Sequence, residues 1–222
     1  IIVAPTLTQR KIKVDPGTGQ VIKKASRHCV DNVRLQRIVA ARNPDEPAIS
    51  AKANCSSPVC DELTMNFALA DMALRDRDAA KLDVPGAYSK GTRLRTMGAM
   101  ALPEGQEQYD ADGERLCIGL YTPMWGEEPA GGEWFVTLRE AVDKDVRFSP
   151  AENVPCLHYF EGTVEGVQTT AAMLIIVDDF FVFEDAVSGQ AVTRWAIAAL
   201  KKRFSDDLKV DLEPTSFAGY KI

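Results

Sequence analysis

Two histidines, and five cysteines without a C-x-x-C pair, leave this chain of 222 residues little from which to build a metal or disulfide framework. The cysteines, Cys29, Cys55, Cys60, Cys117 and Cys156, are odd in number and scattered, so reduced thiols in a cytosolic or nuclear setting are expected. His28 beside Cys29, and Cys156 two before His158, match no standard zinc spacing. Long apolar runs are missing too. The strongest, Ala171 to Val177, is seven residues, against the ~20 needed to cross a bilayer, so no membrane span is expected. The opening Ile1 to Thr8 lacks a basic leader and a signal-type apolar run, and the chain does not begin with Met. Its start is expected to be internal to a longer product, or trimmed. Repeats and low-complexity segments are absent. The remainder, 45% hydrophobic and 26% charged, suits one large domain or two small ones with a buried core.

The formal charge of −6 is unevenly spread. Residues 1 to 42 hold nine basic side chains and two acidic ones, leaving 17 basic and 30 acidic for the rest. A basic arm thus precedes an acidic body. Such an arm either contacts a polyanion or balances the body as a solvated face.

Local patterns give an element order. Lys11 to Val14 and Val21 to Lys24 flank Asp15-Pro16-Gly17-Thr18-Gly19, which predicts a hairpin. Pro44, Pro47 and Pro58 mark residues 43 to 58 as a linker. Ser57-Pro58 predicts a helix start, and Leu63, Phe67, Ala70 and Leu74 recur at helical spacing after it. A strand follows over Ala79 to Val84, then polar loops at 103 to 114 and 122 to 132. A helix is expected over Glu133 to Lys144, with Trp134, Leu138, Ala141 and Val142 inward, and a strand over Cys156 to Phe160. Ser188 to Phe204 predicts an amphipathic helix ending in Lys201-Lys202-Arg203, cations that suit its dipole. Leu208 to Leu212 and Phe217 to Ile222 close the chain as strands. This order predicts an α+β fold, an antiparallel sheet with helices on one face.

Met173 to Val177 and Phe180 to Phe183 are apolar, β-prone runs separated by Asp178-Asp179, which predicts a hairpin with two carboxylates at its tip. Asp suits turns for local reasons. Here the flanks are apolar enough that two like charges crowd the edge of a buried sheet, which favours a shifted pKa or a recruited cation. Asp83 ends the strand Ala80 to Val84, and antiparallel pairing could bring it beside Asp178. Carboxylates so placed are a ligand set for two Mg²⁺ ions serving phosphoryl transfer.

Taken in order, these blocks resemble the reverse transcriptase of Copia-type LTR retrotransposons, from about Lys11 to Ile222. Lys11 to Val30 echoes the family's opening hairpin, and Ser57-Pro58-Val59 its S-P-V helix start. Leu82 to Gly91 (L-D-V-P-G-A-Y-S-K-G) is similar to L-D-V-K-T-A-F-L-N-G, and Leu102 to Gly105 to its Q-P-E-G turn. Leu120-Tyr121 opens what resembles the L-Y-G-L-K-Q block, and Val154 to Tyr159 resembles D-P-C-L-Y. Ile176-Val177-Asp178-Asp179 stands where the family has Y-V-D-D. Leu200 to Phe204 and Phe217 to Ile222 resemble L-x-x-R-F and F-L-G-I-x-I.

The resemblance implies a palm with fingers: residues 1–56 as a fingers-like basic arm and linker, 57–222 as the palm and fingers α+β domain, with no thumb, connection or RNase H segment in the sequence. It implies RNA-dependent DNA polymerase activity by two-metal nucleotidyl transfer. Asp83, Asp178 and Asp179 become catalytic metal ligands for Mg²⁺, Tyr88 the aromatic gate against a ribose 2′-hydroxyl, and Lys24 and Arg27 the triphosphate-gripping positions. RNA/DNA template-primer and dNTP would be the partners.

A second reading stays open, in which the chain keeps the fold and serves as a structural or interaction subunit bound to protein partners. It draws on Thr122-Pro123-Met124-Trp125 in place of G-L-K-Q, on Pro85-Gly86, and on the acidic body. A metal-dependent nuclease or cyclase on a similar sheet is a third; it predicts further acidic or His ligands near Asp83, and none stands out.

Overall fold

The computed structural model describes residues 3–4, 6–14, 18, 20–30, 57–91, 98–125, 127 and 130–222. In chain order these form β1 (Val3–Ala4), β2 (Thr6–Val14), β3 (Val21–Val30), α1 (Glu62–Leu74), β4 (Arg77–Asp83), β5 (Gly98–Ala101), β6 (Cys117–Leu120) and α2 (Ala130–Glu140). There follow β7 (Ser149–Ala151), β8 (Val154–Val164), β9 (Val167–Ile176), β10 (Asp179–Asp185), α3 (Ala191–Phe204), β11 (Lys209–Asp211), β12 (Ser216–Phe217) and β13 (Tyr220–Lys221). Short 3₁₀ turns occupy Ala87–Lys90 and Ala186–Ser188, and α2 runs into a π-helical turn at Ala141–Val146. The architecture is α+β.

The chain divides into two compact units, residues 1–56 with 91–133, and residues 57–90 with 134–222. In the first, β2 and β3 form the antiparallel hairpin expected at the basic end, and β5 pairs with β1 in parallel and β6 in antiparallel. Most of that hairpin's turn, and residues 43–56 of the expected linker, lie outside the described residues.

The second unit is built on a six-stranded antiparallel sheet in the order β11-β4-β10-β9-β8-β7. Alternation along β10 divides its side chains between the two faces. Phe180 and Val182 join Trp134, Leu138, Val142, Val192, Ala196 and Leu200 in a cluster beneath α2 and α3. Phe181 and Phe183 turn the other way, toward Met65 and Ala68 of α1 and Phe217, with the Phe181 and Phe217 rings stacked at 4.8 Å. Apolar runs on β9 and β10 are thus explained by a sheet covered on both sides. Helices therefore lie on both faces, where the sequence order suggested one: α1 fills the second.

Two helix details differ from the sequence expectation. α1 starts at Glu62, because the Asp61 carboxylate accepts the Thr64 backbone N–H at 2.7 Å, which Ser57 lies too far upstream to do. Those hydrogen bonds also pull the Asp61 pKa below its ordinary value. Its buried residues are Met65 and Ala68, whereas Leu63 and Leu74 are 81% and 86% exposed. Spacing identified the helix but not its inward side. On α2 and its π turn, Trp134, Leu138, Ala141 and Val142 are all fully buried, as the spacing predicts.

Candidate functional site

The backbone brings the three aspartates to one corner of the second unit, where β4 ends and β9 turns into β10. The turn is one residue away from the sequence expectation: Ile176 pairs with Asp179, leaving Val177 and Asp178 as the two central residues. Asp179 is therefore the first residue of β10 and not part of the tip. Registry then sets Asp83 directly opposite Asp179, while the Val84 N–H donates to the Asp178 carbonyl at 3.0 Å. Directly opposed antiparallel residues share a face, so Asp83 and Asp179 both lie on the α1 side of the sheet with Lys81.

The turn is held under strain. Val177 has φ +58°, a left-handed conformation that a β-branched residue avoids and that glycine ordinarily supplies in a two-residue hairpin. Strain of this kind costs about 1–3 kcal/mol and persists only where the surroundings impose it. Here the Trp134 indole N–H donates to the Val177 carbonyl at 2.6 Å from the buried face of α2. The indole and the Val84 amide together fix both carbonyls of the tip.

Two lysines answer the carboxylates. Lys209 of β11 is paired in register with Asp83, and its ammonium bonds the Asp83 carboxylate. Lys81 Nζ lies 3.4 Å from Asp179 Oδ1 and 5.8 Å from the centre of the Phe217 ring. Neither lysine was singled out in the sequence. Lys209 sits in a predicted strand, but only the β11–β4 register reveals that it faces Asp83.

Tyr88 stands five residues beyond Asp83, on the 3₁₀ turn that Gly86 permits by adopting φ +67°. Its ring is half-buried and packs against the cluster under α2 and α3. Lys90, at the end of this turn, pairs with Asp207 at 2.7 Å, tying the turn to the segment that leads into β11. Lys24 and Arg27 lie on β3 of the first unit, opposite Ile12 and Gln9.

The fit to a divalent cation can be judged from these donors. Carboxylate oxygens are the ligands that Mg²⁺ prefers, and the backbone brings all three residues to one corner. Among the described residues, however, no three His, Cys, Asp or Glu side chains stand grouped as a metal site. Asp83 and Asp179 are instead engaged by Lys209 and Lys81. The donor chemistry is that of a cation site, but the described side chains are not grouped as one, and the two ammonium groups supply positive charge of the kind that a cation would bring.

No family model matches the chain, and no curated protein matches it either.

Proposed function

We propose that the chain is the palm-bearing part of an RNA-dependent DNA polymerase of the reverse-transcriptase type. The observation that carries this reading is the β4–β10 register, with Asp83 facing Asp179 and Asp178 in the strained tip beside them. The order of sequence blocks around it supports the same reading. Asp83, Asp178 and Asp179 would hold Mg²⁺, which when bound activates an attacking hydroxyl and stabilises the leaving oxygen of a phosphoryl transfer.

The protein's own part is positioning. The Trp134 indole and the Val84 amide fix the tip that carries Asp178. Tyr88 would lie under the sugar of the incoming nucleotide and exclude a 2′-hydroxyl. Lys24 and Arg27 would neutralise triphosphate charge, and a template-primer of RNA and DNA would be the substrate.

A second reading rests on the bonds from Lys209 to Asp83 and from Lys81 to Asp179. A carboxylate corner neutralised by lysines is self-sufficient without metal, as in a domain kept for its fold and its protein partners. Primer extension on an RNA template with Mg²⁺ or Mn²⁺ separates the two, comparing the chain with Asp178→Asn. The polymerase reading expects incorporation that the substitution abolishes. Equal background incorporation by both would overturn it in favour of the scaffold.

A further inference from the structure

The polymerase reading leaves unused a concentration of positive charge on the opposite face of the sheet. There α3 and the π-helical turn border a groove of about 590 Å³ lined by Lys144, Asp145, Arg147, Trp195, Lys202 and Arg203. α3 packs on the Phe180 and Val182 face of β10, whereas Asp179 and Asp83 belong to the α1 face. The groove is therefore separate from the carboxylate corner.

Its charge is only partly cancelled locally. Lys144 reaches Glu140 at 3.6 Å, and Arg203 reaches Glu140 and Asp145 at 3.8 and 4.0 Å, so two cations share two carboxylates. Arg147 and Lys202 form no ion pair among the described residues. They stand out because residues 43 to 222 carry 17 basic against 30 acidic side chains.

An aromatic plane lies among these cations. The Trp195 ring is half-buried, with Phe160 packed edge-on at 5.5 Å and the Arg147 guanidinium 5.8 Å from its centre. Arg147 achieves this from a left-handed backbone, φ +59°, at the end of the π turn, where its N–H bonds the Val142 carbonyl. Ala198 and Ala199 also line the groove, and their small side chains do not crowd the ring. Cations at intervals around an aromatic plane are what a single strand of nucleic acid needs, ammonium and guanidinium groups for phosphates and a flat surface for a base.

We propose that this groove binds the phosphodiester backbone of single-stranded RNA or DNA, with a base seated at Trp195. The site does not depend on the polymerase reading, because it requires neither the carboxylates nor a metal.

The test is fluorescence anisotropy with 5′-labelled 12-nucleotide RNA and DNA strands, in EDTA, over a NaCl series. The wild-type chain is expected to bind. The double variant Arg147→Glu, Lys202→Glu should raise Kd at least tenfold and flatten the log–log salt slope by about 1.4, at about 0.7 per phosphate contact on a single strand. Trp195→Leu should weaken binding with the slope unchanged. A circular dichroism spectrum unchanged from wild type qualifies each variant. No binding by wild type would overturn the proposal, as would a charge-reversed variant that binds equally well, since the strand would then be held elsewhere. Displacement by poly-glutamate at equal charge concentration would also overturn it, in favour of an acidic protein segment. RNA and DNA binding in comparable measure assigns the site to the shared backbone, and RNA alone assigns it to the 2′-hydroxyl form.

Discussion

Glu184 offers the sharpest quantitative test of how the carboxylate-bearing strand is anchored. It is completely buried on β10, six residues after Asp178, among the apolar side chains beneath α3. α3 begins without a side-chain cap of its own, since Gln190 occupies the left-handed region and makes no capping bond. The Glu184 carboxylate takes that role from the sheet, accepting the Val192 N–H at 2.9 Å and the Thr193 N–H at 3.3 Å. A carboxylate at a helix N-terminus also meets the positive end of the dipole. Hydrogen bonds to a charged group contribute about 1.5–3 kcal/mol each, and removing the acceptor leaves buried donors unpaired. The second bond is long and the two share one group, so Glu184→Ala is expected to cost about 3–4 kcal/mol, cavity included. Glu184→Gln keeps one acceptor oxygen and turns an amide NH₂ toward the other donor, for about 1–2 kcal/mol. Urea unfolding followed by tryptophan fluorescence measures both. An alanine variant within about 0.5 kcal/mol of wild type, the ordinary range for inconsequential surface changes, would refute this account of how β10 is joined to α3.

His158 is fully buried with neither ring nitrogen hydrogen-bonded, and burial pushes its pKa down to about 4, with Asp143, whose Oδ1 is 3.7 Å away, opposing and Arg139 adding to the fall. The unfolded chain protonates this residue near 6.5 and the folded one only near 4. Stability is therefore lost as pH falls through that window, by about 3 kcal/mol at its foot, and His158→Gln should remove that part of the slope; an unchanged slope would contradict it. Burial and the neighbouring Cys156 push the Cys60 thiol up to about 12, while Cys117 is exposed. Iodoacetamide at pH 8 should thus modify Cys117 at least tenfold faster by peptide mass spectrometry, and comparable rates would sink the claim. Trp134→Phe deletes the indole bond to the Val177 carbonyl; it should cost about 1–2 kcal/mol and speed hydrogen exchange at the Val84 amide, which an intact tip would leave unchanged.

The features legible in the sequence were those set by local chemistry. Periodicity identified α2 and α3 because Trp134, Leu138, Val192 and Leu200 repeat on faces that the sheet covers. Two apolar runs around an Asp pair gave away the central hairpin. Its register was not legible, because a one-residue shift of the turn leaves both runs apolar, and the sheet is buried on both faces, so no polar side chain marks the wrong phase. The same blindness concealed α1's inward side: Leu63, Phe67 and Leu74 are as apolar as Met65 and Ala68, and only the tertiary partners decide between them. At the site, the carboxylates could be named from their residue types. Lys209 and Lys81 could not, since their significance arises from cross-strand pairing between segments far apart in the sequence, 126 residues for Lys209 and Asp83. The basic groove joins residues 144 to 147 with 195 to 203, and the sequence showed only a helix end that suits its dipole.

Cation binding at the carboxylate corner tests the central claim most directly. Mn²⁺ titration followed by electron paramagnetic resonance, on the wild-type chain and on Asp83→Asn, Asp178→Asn and Lys209→Met, reads occupancy without needing turnover. The account predicts that wild type binds Mn²⁺, that each Asn substitution weakens binding at least tenfold, and that Lys209→Met tightens it by releasing Asp83. Mn²⁺ affinity that is the same in all four proteins would contradict it.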